Sequence, residues 1–148
     1  RQDIDFIFLL ATDITNAKLL KSQLDYHLSG DVPIPIYSTS NIFSLRENMD
    51  DLDGVIFTDA PWVIDQQSWL RDLPTKLMKF WPGDAIQSRQ NAMGYDAYFL
   101  TSKLAKQNNS YLKEFNGATG QLYMDSENKI RRRLAWAKLI DGKTEVSK

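Results

Sequence analysis

Eight residues near the start, Ile4 to Ala11 (IDFIFLLA), constrain this chain more than any other stretch. Six of the eight are large and apolar with almost no polar alternation, the pattern of a strand buried on both faces of a helix-covered parallel sheet. A strand of that kind does not stand at an edge, so the other elements are expected to layer around it. Thr12, Asp13, Ile14 and Thr15 follow directly. They can cap a helix, and they fall at the carboxyl end of the strand, where open α/β sheets bind ligands.

The 148 residues are enough for one domain with a proper core, and 43% hydrophobic with 25% charged residues is ordinary for a globular chain. A net charge of -1 argues against a general nucleic-acid or anionic-membrane binder. No apolar run approaches the roughly 18 residues of a transmembrane helix. With no cysteine there is neither a disulfide framework nor thiolate chemistry. The chain starts without an initiator Met, a signal peptide or a lipidation signal, three residues before a buried strand. It reads as a piece excised from a longer protein.

A first helix is expected from about Asn16 to Leu28, with Ala17, Leu20, Leu24 and Leu28 at helical spacing and Gly30 as its stop. Pro35-Ile36-Tyr37 reads as a second strand, completing a right-handed parallel unit, and Ser38 to Asn41 form a polar cluster at its end. A short helix over Ile42–Met49 and a turn over Asp50–Gly54 lead to a third apolar strand, Val55–Thr58. That strand ends in Asp59-Ala60-Pro61-Trp62. Helical periodicity returns from Gln66 to Trp81, interrupted by Pro74. It returns again over 85–107, with Met93, Ala97, Leu100 and Leu104 on one face and Tyr95 and Phe99 beside them. Tyr111–Phe115 reads as one more short turn. Gln121–Met124 and a long strand Ile130–Ile140 form a hairpin, with Ile130, Leu134, Trp136 and Ile140 on one face. Arg131 and Arg133 take the other face, and Arg132 interrupts the apolar one. Asp141-Gly142 is expected to end the ordered part, and residues 143–148 to fray.

The order IDFIFLLAT, PIYSTS, DLDGVIFTDAPW, AMGYDAYFL and GATGQLYMDSENKIRRRLAWAKL resembles the C-terminal domain of the LpoA (YraM) family of lipoproteins. More broadly it is similar to type I periplasmic-binding-protein folds. The resemblance spans Ile4 to about Leu139. It implies an α/β fold: a parallel sheet flanked by helices with a C-terminal β-hairpin, about one lobe of a two-lobed domain. It also implies that residues 1–142 start inside the second lobe and that the helix over 85–107 would pack on the missing lobe; in the fragment alone that helix is expected either to fold back on this lobe or to cover its apolar face with another copy of the chain. Family members are outer-membrane lipoproteins that activate a class A penicillin-binding protein, a peptidoglycan synthase. The resemblance therefore implies a non-enzymatic periplasmic regulator anchored through an N-terminal lipid outside this sequence, with no cofactor. A receptor lobe for an amino acid or a cell-wall fragment is the alternative.

The catalytic inventory is thin. His27, the single histidine, reads as a surface or partly buried helix position. No nucleophile elbow, P-loop or dinucleotide motif is present. Asp50, Asp51 and Asp53 lack the calcium-loop spacing and read as a solvated turn. The arginines 131–133 read as a solvated face with local ion pairs. Asp13 and Asp59 would lie at neighbouring strand ends, where paired carboxylates can hydrolyse glycosides, yet Asp13 is equally a helix cap. Trp62 can anchor a sugar or a protein, or plug the core. Tyr95 and Asp96 can line the hinge between lobes, although helix packing serves Tyr95 as well. No catalytic or metal residue is expected. Thr12, Asp13, Ser38, Thr39, Ser40, Asp59, Pro61, Trp62, Tyr95 and Asp96 are the candidate contacts for a partner or ligand.

Overall fold

The computed structural model describes residues 4–28, 34–65, 79–80, 88–106 and 114–147. The expected stop at Gly30, all but residues 79 and 80 of the region Gln66–Trp81, and the turn over 111–113 lie outside them. In chain order the elements are β1 (Ile7–Leu9), α1 (Ile14–His27), β2 (Ile36–Ser38), β3 (Ile56–Asp59), α2 (Pro61–Ile64), α3 (Arg89–Lys106), β4 (Phe115–Asn116), β5 (Gln121–Met124), β6 (Ile130–Arg133), β7 (Ala135–Ile140) and β8 (Lys143–Val146). The chain divides into two compact units, Arg1–Thr58 with Trp136–Lys148, and Asp59–Ala135. It leaves the first unit after Thr58 and re-enters it at Trp136.

Unit 1 is built on a mixed sheet in the order β1-β2-β3-β7-β8. The pairs β1–β2 and β2–β3 are parallel, and β7–β8 is antiparallel. The α/β class is as expected, but the sheet is not wholly parallel. Asp13 caps α1, accepting from the Asn16 amide at 2.9 Å, so the helix begins two residues before the expected Asn16. The helix lies against β1 and against 3₁₀ turns at Ser40–Ile42 and Asp50–Leu52. Ala17, Ile42, Leu52, Val55, Phe57, Ala137 and Leu139 are fully buried there, and Phe43 stacks on Phe57 at 5.3 Å. The expected helix over Ile42–Met49 is absent. Only the end of the 3₁₀ turn, a turn at Leu45-Arg46 and a bend at Glu47 occupy that stretch, and Ile42 is fully buried without a longer helix.

The hub strand requires a correction. β1 stands at the edge of the sheet, with β2 its single neighbour among the described strands. Leu9 and Ala11 are buried, whereas Phe6, Phe8 and Leu10 are 59%, 53% and 71% exposed. The two-faced apolar pattern is real, but one of its faces is open. Two further expectations fail at the other end of the chain. The strand Ile130–Ile140 is split at Leu134 into β6, which belongs to unit 2, and β7, which belongs to the sheet of unit 1. The tail does not fray: Asp141 and Gly142, with φ of 50° and 69°, form a two-residue turn that folds Lys143–Val146 back on β7 as β8. Asp-Gly is the pair that a two-residue hairpin with positive φ at both positions demands. The Asp141 amide donates to Asp53 Oδ1 at 2.7 Å, which fixes the turn.

Unit 2 holds α2, α3 and an antiparallel sheet in the order β4-β5-β6. Phe115, expected in a turn, pairs with Leu122 as part of β4. On α3 the inward residues are Ala92 and Asp96, while Met93 is 58% exposed and Ala97 is also exposed. Within unit 2 the inner face of α3 is thus not the Met93–Ala97 stripe but the one that carries Asp96, whose carboxylate finds three donors. All of β6 is exposed. Arg131 pairs with Asp125, Arg133 with Glu114, and Arg132 lies across from Leu122.

Candidate functional site

In unit 1 the loops after β1 and β2 come together at the carboxyl ends of those parallel strands. The Ser38 hydroxyl donates to the Leu9 carbonyl at 2.7 Å, and Asn41 Nδ2 reaches the Ala11 carbonyl at 3.5 Å. Ser38 is buried and so serves the fold. Thr39 and Ser40 are half-buried, Thr39 starting the 3₁₀ turn. Thr12 and Asp13 are exposed, and the Thr12 hydroxyl donates to Asp13 Oδ2 at 2.9 Å.

The Asn16 amide, and after it the Thr12 hydroxyl, hold the Asp13 carboxyl below its ordinary value of 3.8. Asp125 is likewise lowered, by the Lys129 amide first and then by the Arg131 guanidinium. A carboxylate with a depressed folded-state pKa stabilises the fold above its unfolded value, and that stability is lost as pH falls through the folded one. These two groups are therefore expected to leave the melting temperature level from neutrality to about pH 4 and to lower it further down. Thermal unfolding of Asp125→Asn should show a shallower acid fall; a fall as steep as that of the parent would contradict the assignment.

In unit 2 the remaining candidates are tightly engaged. Asp59 is 2% exposed and accepts from Arg89 Nε at 2.8 Å, from Arg89 Nη2 at 2.5 Å and from the Ala60 amide at 2.7 Å. Asp96, 3% exposed, accepts from the Ala118 and Thr119 amides at 2.7 and 2.8 Å and from the Thr119 hydroxyl at 2.6 Å. A Cβ on Gly117 would come within 2.7 Å of both Asp96 oxygens, so glycine is required there by the closeness of the carboxylate. The Trp62 amide donates to the Ala118 carbonyl at 3.0 Å. Trp62 is 3% exposed, so it plugs the core and offers no open ring face. From it a ladder of rings runs along α3: Trp62 to Tyr95 and Tyr95 to Phe99 at 6.0 Å each, then Phe99 to Phe115 at 5.1 Å. The Lys103 ammonium lies 4.6 Å over the Phe115 ring. Pro61 and Tyr95 are half-buried.

Of the ten candidates, Ser38, Asp59, Trp62 and Asp96 are thus inside the fold, and the other six retain accessible surface. Arg89 and Lys103 are not among the candidates, and Gly117 and Thr119, legible in the sequence only as parts of a tight turn, prove to frame Asp96. Arg89 meets Asp59 across 30 positions, and Asp96 meets Thr119 across 23, separations at which local pattern carries no signal. Among the described residues no buried side-chain nitrogen or oxygen lacks a hydrogen-bond partner.

Known proteins are similar to this chain in sequence and fold. The penicillin-binding protein activator LpoA of Vibrio antiquarius is 28% identical over 93% of the chain, and the chain covers 22% of that protein. The chain thus spans about a fifth of the length of the curated relatives it matches. The LpoA (YraM) C-domain from Haemophilus influenzae, described as a regulator of PBP1A, superimposes with a TM-score of 0.73 at 23% identity; 99% of this chain matches 46% of that one. The leucine-binding protein LivK of Thermotoga maritima shares the fold at a TM-score of 0.56 and 15% identity, over 97% of this chain and 44% of its own. The family model described as "LppC putative lipoprotein" matches residues 1–142, nearly the whole sequence, and the chain belongs to that family.

Proposed function

We propose that this chain is a non-enzymatic periplasmic module that activates a class A penicillin-binding protein, a peptidoglycan synthase, through protein–protein contact. One observation carries the reading: the family match runs from residue 1 to 142, and curated relatives aligned with 93% of the chain are named penicillin-binding protein activators. The parent polypeptide is then periplasmic and held to the outer membrane by an N-terminal lipid. Within unit 1 the contact residues are Thr12, Asp13, Thr39 and Ser40; within unit 2 they are Pro61 and Tyr95. The buried Ser38, Asp59, Trp62 and Asp96 support them from beneath. A carboxylate-based hydrolase needs an acid whose pKa is raised. Asp13 is shifted the other way and caps a helix, and Asp59 is clamped by Arg89. Both arrangements favour contact over hydrolysis.

Surface plasmon resonance of the chain against a purified class A penicillin-binding protein is expected to show saturable binding. Thr12→Arg with Thr39→Arg should weaken it about tenfold or more at unchanged circular dichroism, as for a truncated hot spot. Absence of binding by the parent chain would sink the reading. Trp62→Ala is a poor probe, because removing a 3% exposed tryptophan disturbs the core itself. A second reading, a small-molecule receptor lobe, draws on the likeness to the leucine-binding protein. Thermal stabilisation by leucine or by a muropeptide, growing as RT ln(1 + [L]/Kd), would favour it.

A further inference from the structure

We infer that the outer face of the β5–β6 hairpin in unit 2 binds an extended acidic segment of a partner protein, one with Glu or Asp at alternate positions. Strand pairing sets Tyr123 opposite Arg131 and Gln121 opposite Arg133. Side chains alternate along a strand, so these four share one face while the buried Leu122 takes the other. The two arginine side chains stand in water, 53% and 63% exposed. An open apolar face calls for a covering element, but a charged face is at home in solvent, so this exposure belongs to the residues themselves. Residues 114–133 carry four cations against three carboxylates, in a chain whose net charge is -1. None of the contact residues proposed above belongs to this hairpin.

Both guanidinium groups are oriented in advance. Arg131 donates from Nε to Asp125 Oδ2 at 2.6 Å. Asp125 is itself fixed by the Glu127 and Lys129 amides at 3.0 and 2.9 Å. Among the described residues that contact takes one of the five N–H donors of Arg131 and spares its terminal NH₂ groups. Arg133 lies with Cζ 5.1 Å from the centre of the Tyr123 ring, which steadies its plane. Its Nη1 is 3.7 Å from Glu114 Oε1, beyond hydrogen-bond reach, while Glu114 Oε2 accepts from Gln121 Nε2 at 2.9 Å. Two planar forks therefore stand two residues apart on one strand, with Cα atoms about 6.8 Å apart. Alternate residues of an extended peptide repeat at the same distance, so acids at i and i+2 meet both forks at once. Each fork can grip a carboxylate through two parallel N–H bonds. The overall negative charge speaks against a nucleic acid or an anionic membrane as the occupant.

Fluorescence anisotropy of a labelled peptide of alternating threonine and glutamate, titrated with the 148-residue chain, is the test. Saturable binding is expected, weakening as salt rises because the contacts are exposed ion pairs. Arg133→Gln should weaken it about threefold to fivefold, the loss of one such contact. Arg133→Lys should cost almost as much, since an ammonium keeps the charge and loses the fork. Arg131→Gln should match Arg133→Gln, with circular dichroism to show the hairpin intact; if it is not, Arg133→Gln, whose own partner is loose, decides the matter. Lys143→Gln on β8 removes the same charge elsewhere and should change nothing. A parent chain that does not bind the peptide overturns the inference. So does an equal loss with Lys143→Gln, which would mean unspecific attraction, or equal binding of a peptide with its glutamates in one block. Tighter binding of tripolyphosphate than of the peptide overturns it in favour of a phosphate ligand.

Discussion

Asp96→Ala is expected to remove about 3–5 kcal/mol of stability, because it leaves two amides and a hydroxyl buried without an acceptor. The donors are the Ala118 and Thr119 amides and the Thr119 hydroxyl, all within 2.8 Å of the carboxylate. Asp96 is 3% exposed and Thr119 likewise 3%, so water does not replace the lost oxygens without opening the turn. Two milder variants grade the effect. Asp96→Asn keeps one acceptor but points an NH₂ group at a donor, and should fall between Asp96→Ala and the parent. Thr119→Val removes only the hydroxyl and should lower stability by about 1 kcal/mol. Urea denaturation followed by circular dichroism checks the order, and Asp96→Ala within ~0.5 kcal/mol of the parent would contradict the assignment. Gly117 makes the same point sterically, because its missing Cβ is what lets the carboxylate approach the turn.

That turn is also where sequence reading reached its limit. Gly94-Tyr95-Asp96-Ala97 and Gly117-Ala118-Thr119-Gly120 are both visible as motifs, and each reads as the right kind of element, a helix and a tight turn. What the sequence does not display is that one closes on the other. Hydrophobic spacing puts Met93 and Ala97 on one face of the helix, but periodicity counts apolar residues and has no way to score a carboxylate that finds three donors. The structure turns Asp96 inward and leaves Met93 outside. The family resemblance offered Asp96 as a hinge residue for a ligand; its oxygens are already committed to the Gly117–Gly120 turn.

The sheet repeats the lesson at larger scale. The strands at Ile36–Ser38 and Ile56–Asp59 and the helix capped by Asp13 were legible, since each depends on pattern within a few residues. The identity of strand neighbours was not. Eight residues of apolar run say that both faces suit burial, but an edge position follows from which other strands are present. Asp141-Gly142 carries a local signal of its own: flanked by the alternating Ala135–Ile140 and Lys143–Val146, it specifies a hairpin, and the return strand follows.

Arg89→Ala is expected to destabilise unit 2 by about 2–3 kcal/mol, through the charge it strands on Asp59 more than through the contact it removes. Asp59 is 2% exposed and takes three hydrogen bonds from the guanidinium, one at Nη2 and two at Nε. Breaking a buried pair from one side typically costs about 3–5 kcal/mol, and the figure is reduced here because the Arg89 side chain is 41% exposed and already partly screened by water. Arg89→Lys should recover little, since an ammonium does not reproduce the planar two-toothed grip on both carboxylate oxygens. Asp59→Asn combined with Arg89→Ala should be more stable than Arg89→Ala alone, because the stranded charge is gone while the side-chain oxygen can still accept from the Ala60 amide. The double-mutant cycle, read from denaturation midpoints at low and high salt, separates the two accounts. Strict additivity would mean that Arg89 contributes packing only. A coupling of about 1 kcal/mol or more, only modestly reduced by salt, would show that this ion pair is what ties Asp59 to the start of α3 within unit 2.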